Sequence, residues 1–151
     1  MKILHVITTI NRGGAENHLY ELSSGMIEKG CEICVVYLKG DGYWENEYNS
    51  LGIKTINLKV GRYFSSFIPF IKLRKIAKQF SPDIIHCHLP PAELYTWLSI
   101  LFLKDFVLVI SKHVDNTFFN ASEGQSSGWL SRYICRLISS RAVLIIAISD
   151  A

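Results

Sequence analysis

Apolar residues along this chain follow two alternating rhythms. Short, nearly unbroken runs rich in β-branched residues stand at Met1–Thr9, Cys31–Leu38, Lys54–Leu58, Ile84–His88, Phe106–Ser111 and Ala142–Ile148. Runs of that length read as strands covered on both sides. Between them the spacing lengthens to helical. Ala15, Leu19, Leu22 and Met26 share one face, and Trp44–Leu51 forms a short helix. Within 64–80, Phe70, Leu73, Ile76, Ala77 and Phe80 line one side. Ala92–Leu103 and Gly128–Ser140 complete the set, the latter with Trp129, Leu130, Tyr133, Ile134, Leu137 and Ile138 inward. Strand and helix in strict alternation predict an α/β domain: a doubly wound parallel sheet of about six strands, ordered 3-2-1-4-5-6.

Such a sheet gathers ligands at the carboxyl ends of its strands. That edge collects residues 8–14, 39–43, 88–92 and 113–116, with Ser149 and Asp150. The first of these stretches organises the rest. Asn11-Arg12-Gly13-Gly14 breaks the first strand and opens the first helix. Paired glycines let a backbone approach a ligand closely, and the following helix aims free N–H groups and its positive dipole end there. Gly13 and Gly14 are therefore candidates for anion binding, with Glu16 complementing the helix dipole. The plainer alternative is a tight strand-to-helix turn. The pattern is neither the G-x-G-x-x-G dinucleotide fingerprint nor a P-loop.

His113 is the leading catalytic candidate. It follows the fifth strand at the ligand edge, with Asp115 and Asn116 close enough in sequence to orient or charge it. A histidine so placed can donate to a substrate oxygen or stabilise developing charge; holding a backbone carbonyl is its structural alternative. His86 and His88 share one strand face. They could ligate a metal, but no third ligand has convincing spacing, so hydrogen-bonded structural roles are favoured and no metal is expected. His5 and His18 are weaker candidates. Asp83 reads as a turn residue, and no nucleophile elbow or catalytic carboxylate pair is present.

Composition adds scale. A chain of 151 residues, 49% hydrophobic and 19% charged, suits one domain with a substantial core. The net charge of +3 is uneven: residues 54–83 carry seven basic side chains against Asp83 alone. That pattern suits an anionic ligand or surface better than bulk nucleic acid. Lys72, Arg74, Lys75 and Lys78 form the polar face of the third long helix, with Ile71 among them and Phe64 and Phe67 upstream. The face is either simply solvated or rests on an anionic membrane. Cys31, Cys34, Cys87 and Cys135 lack zinc-site or redox-helix placement and read as reduced thiols. With no leader expected before the first strand, the chain reads as cytoplasmic, with peripheral association at the inner membrane face as an extension. Leu94–Ile110 is interrupted by Lys104-Asp105, too early to cross a core of roughly 30 Å.

The segments ILHVITTINRGGAENHLYELSSGMIEKG, LGIKTINL, PDIIHCH, ISKHVDN and AVLIIAISDA, in this order, resemble the amino-terminal domain of GT-B glycosyltransferases of family 4 (group 1). The resemblance implies a Rossmann-like, acceptor-side half of a GT-B fold over residues 1–151. It implies that Gly13 and Gly14 face the donor diphosphate, that His113 lies beside the transferred sugar, and that His88, which ends the family's D-x-x-H-x-H segment, binds substrate together with Glu16, Asp115 and Asn116. The implied activity is retaining transfer of a sugar from a nucleotide-sugar, itself a substrate and not a cofactor, to a polysaccharide or lipid-linked acceptor. The family's E-x7-E motif has no counterpart: no two glutamates here lie eight apart. The expectation is thus a domain lacking the C-terminal nucleotide-sugar half, as a shortened product, an engineered fragment or a subunit completed in trans, and inactive alone. The alternative is a non-catalytic scaffold of the same fold that docks on a membrane or partner.

Overall fold

The computed structural model describes residues 1–61, 67–112 and 129–147. The strands are β1 (Lys2–Ile7), β2 (Glu32–Tyr37), β3 (Lys54–Asn57), β4 (Ile84–His88), β5 (Val107–Lys112) and β6 (Leu144–Ala147). The helices are α1 (Gly14–Glu28), α2 (Glu45–Ser50), α3 (Ile68–Phe80), α4 (Pro90–Ser99) and α5 (Trp129–Arg141). The strands form one sheet in the order β3-β2-β1-β4-β5-β6. Every neighbouring pair is parallel. The order expected from the sequence is the order observed.

Parallel strands side by side need helical crossovers, and these put aliphatic side chains on both sheet faces. On one face Leu4, Val6, Cys34, Val36, Ile85, Cys87, Leu108 and Ile110 pack with Leu73 and Ala77 of α3, Tyr95 of α4 and Ile138 of α5. On the other, Ile3, Ile7, Ile33, Val35 and Tyr37 pack with Leu19 of α1 and Tyr48 of α2. Asp83 is the turn residue expected. Its carboxylate accepts from the Lys2 backbone N–H at 2.7 Å, and its own N–H and C=O join β1 to β5.

Three expectations need correction. Tyr133 of α5 is 55% exposed instead of inward, while Ile138 is buried; Tyr133 lies about one turn N-terminal to the part of α5 that reaches the core. The side chains of Trp129, Leu130 and Ile134 lie outside the described set. The last strand is not covered on both sides: Leu144, Ile145 and Ile146 are all exposed, and Val143 before them is 75% exposed. The physical reason is position, since among the described residues β6 pairs only with β5 at the sheet margin. Helix α3 begins at Ile68 with Pro69 in its first turn. Arg74 also departs from the solvated face, because its Nη1 donates to the carbonyls of Ser99 at 3.2 Å and Leu101 at 2.6 Å. No helix among the described residues is long and apolar enough to cross a membrane.

Candidate functional site

Strand order reverses between β1 and β4, and the loops leaving their carboxyl ends border the crevice that opens there. The loop after β1 is tied to its neighbours by backbone. Lys39 N–H donates to Thr8 O at 3.1 Å, and Trp44 N–H donates to Ile10 O at 3.1 Å. Asn57 Nδ2 of β3 reaches Gly40 O at 3.3 Å. Gly40 lies at φ 111°, where an added Cβ would meet Asn11 Oδ1 at 3.0 Å. Glycine there allows the β1 and β2 loops to touch. At the tip, Arg12 Nη2 donates to Tyr43 Oη at 2.6 Å, and its guanidinium lies 4.5 Å from that ring's centre. Behind them Tyr20 stacks on Trp44 at 4.8 Å.

Gly13 is the N-cap of α1, with extended backbone and no side-chain cap, and Gly14 is the first helical residue. Both are exposed. The first-turn N–H groups of such a helix have no intrahelical acceptors. Glu16 accepts a hydrogen bond from Thr9 Oγ1 at 2.5 Å, and its carboxylate lies over Gly13 so closely that a Cβ there would overlap it. The helix end thus already faces a carboxylate from within the chain. An anion brought to it must displace Glu16 or arrive with that charge neutralised.

On the other side of the crevice, β4 ends in His88, which is completely buried and turned toward the sheet instead of the open rim. His88 Nε2 is 3.3 Å from His5 Nδ1, and His86 Nε2 is 2.8 Å from Ser111 Oγ. The three rings form one cluster, with centroids 4.0–5.4 Å apart. Burial, with the neighbouring His86 assisting, pushes the His5 pKa down to about 3, so this imidazole is neutral at ordinary pH. The sequence placed His86 and His88 on one face; the in-register pairing of His5 with His86 supplies the third ring. Only pairing across strands reveals it, because His5 lies 81 residues before His86 in sequence.

Leu89 follows with φ 73°, a left-handed value that non-glycine residues seldom adopt. It sets the start of α4, whose first turn carries Glu93. Glu93 is 6% exposed, its Oε2 lies 3.4 Å from Lys112 Nζ, and its Oε1 has no partner among the described residues. Burial raises its pKa, opposed by the Lys112 charge. The same environment drives the Cys87 thiol up to about 12. Sequence reasoning passed over Glu93 and Lys112; the signal was a lone acid in the first turn of an otherwise apolar helix. Lys112 closes β5 at the same edge as His88 and the glycine turn. His113, Asp115 and Asn116, which follow it, lie outside the described residues, as does Phe64. Lys72, Lys75 and Lys78 are exposed on α3, with Lys72 Nζ donating to Asn57 O at 2.8 Å.

Several comparisons bear on this arrangement. Residues 12–151 match the model of Glycosyltransferase Family 4. Curated protein sequences gave no significant match. Among solved structures, HepE from Anabaena, in complex with UDP and glucose, aligns with a TM-score of 0.68 at 17% identity, covering 96% of this chain and 37% of that one. Sucrose-phosphate synthase from Thermosynechococcus elongatus aligns at 0.70 and 16% identity, covering 99% and 43%. MurG from Acinetobacter baumannii aligns at 0.62 and 12% identity, covering 99% and 41%. The chain therefore spans about two-fifths of the length of these GT-B structures and shares the fold of that part. With the family model matched over nearly its whole length, the chain belongs to glycosyltransferase family 4.

Proposed function

We propose that this chain is the acceptor-side wall of a sugar-transfer cleft, one half of a retaining glycosyltransferase acting from a nucleotide-sugar onto a polysaccharide or lipid-linked acceptor. The observation that carries the reading is the exposed Gly13-Gly14 turn opening α1 beside the crevice between β1 and β4. Free N–H groups and a positive helix end at that place suit a diphosphate. The crystal structure of HepE, which shares this fold, holds UDP and glucose. In this reading Gly13 and Gly14 admit the diphosphate, Glu16 swings aside, and His113 stabilises charge beside the transferred sugar, with Asp115 and Asn116 holding its ring. The second wall comes from a nucleotide-sugar-binding domain in cis or in trans. Transfer requires both walls, because positioning and charge stabilisation supply most of the rate. No metal or organic cofactor takes part in the transfer step.

The test joins or mixes this chain with a family-matched second domain and assays transfer from UDP- and GDP-sugars. Product is expected only in the pair, and His113→Ala should abolish it while leaving the melting temperature nearly unchanged. A wild-type rate in that variant removes His113, and no product in any pairing favours a non-catalytic scaffold. A membrane role for the same domain is favoured by one observation. Phe67, which caps α3, and Ile71 within it are 82% and 65% exposed, near Lys72, Lys75 and Lys78. Apolar residues set among lysines suit an anionic bilayer surface. Replacing the three lysines by glutamine should weaken binding to phosphatidylserine vesicles, whereas Arg74, committed to the end of α4, contributes packing instead of contact.

A further inference from the structure

The middle of the sheet holds three buried imidazoles to which the transfer step proposed above gives no role. His5 stands in β1, with His86 and His88 two residues apart in β4, and the parallel register sets His5 opposite His86. All three are buried, and one ring nitrogen from each lies within 4.8 Å of the other two. His5 Nδ1 and His88 Nε2 are 3.3 Å apart. That separation matches the edge of a tetrahedron around an ion with nitrogen bonds of about 2.0–2.1 Å. His86 Nε2 sits 2.8 Å from Ser111 Oγ, and the His86 and His88 rings lie 4.0 Å apart, centre to centre. A hydrogen bond from the far nitrogen is how ligating histidines are usually oriented.

We propose that His5, His86 and His88 form a buried three-nitrogen site for a first-row transition-metal ion of the zinc class. Imidazole sets of this kind suit Zn2+, Cu+ or Ni2+, and calcium and magnesium, which prefer oxygen donors, do not fit. The site supplies three of the four ligands zinc takes, and a solvent-derived oxygen completes it. The ion ties β1 to β4 directly beneath the crevice where the strand order reverses. Its role is to fix the two strand ends that carry the glycine turn and the start of α4. The ring nitrogens, which lie within 4.8 Å of one another, must close to about 3.3 Å around the ion, and uptake is slow because the cluster is sealed from solvent.

The test needs no sugar substrate and stands apart from the transfer reading. The whole chain is unfolded in chelator, refolded with stoichiometric ZnCl2 or CoCl2, and desalted. One ion per chain by elemental analysis is the expected result. The absorption edge of the zinc form should show imidazole scattering at about 2.0–2.1 Å. His5→Leu should weaken retention at least about tenfold, while His18→Gln and Cys31→Ser leave it unchanged. A wild-type chain that desalts free of metal overturns the proposal. So does a spectrum of sulfur or all-oxygen ligands, or full retention by a folded His5→Leu. The absorption spectrum is taken on the wild-type chain, so it decides the matter even where the variant does not fold.

Discussion

Strand β4 shows two different chemistries one residue apart. Ile85 and Cys87 point into an aliphatic layer closed by α3 and α4, where Leu73, Ala77 and Tyr95 fill the space. His86 and His88 point the other way, into a cluster of rings that hydrogen-bonds through His5 Nδ1 and Ser111 Oγ and leaves His5 Nε2 without a partner among the described residues. Both layers are equally dry. The first gains from every methylene it removes from water, whereas the second must find a partner for each polar atom it desolvates. Stability on one face is a matter of volume, and on the other a matter of pairing.

Substitutions can separate these two kinds of burial. The largest effect is expected on the aliphatic side, where Ile85→Ala should cost about 2–5 kcal/mol by the cavity it opens, read by denaturant unfolding. A loss well under that range would mean the layer collapses to fill the gap. On the histidine side, Ser111→Ala removes almost no volume yet strips a partner from His86. It should cost about 1–3 kcal/mol, and no loss at all would mean the His86 ring finds another partner there. The smallest effect tests Glu93, a polar group on the aliphatic side. Burial raises its pKa, so the folded chain holds its proton more tightly than the unfolded one. That contribution is fully present below the ordinary carboxylate range and is lost as pH rises through the raised value. Glu93→Gln should therefore gain in melting temperature relative to wild type between pH 4 and pH 7. The opposite trend would show that the Lys112 contact outweighs desolvation.

Much of the fold was legible because apolar runs and helical spacing encode it locally. Met1–Thr9 and Cys31–Leu38 read as buried strands and are β1 and β2, shortened at their ends. The strand order followed from the alternation of strand and helix and the doubly wound pattern it suits. Exposure at the sheet margin was not legible. Ala142–Ile148 is as apolar as any central strand, and nothing in its composition says that β6 has a neighbour on one side only among the described residues. The same limit applies to the site. The glycine turn is a local signal and could be read directly. The His5–His86 pairing and the Glu93–Lys112 contact depend on register and on where a helix lands, which no spacing within one segment reveals.

The margin at β6 has a practical consequence. Its outer row of amide and carbonyl groups, without a neighbouring strand among the described residues, and the aliphatic side chains from Val143 to Ile146 present a template for another strand. Self-association along this border at high concentration is the expected outcome, read by light scattering. A lysine placed at position 145 is the simplest way to keep it in solution.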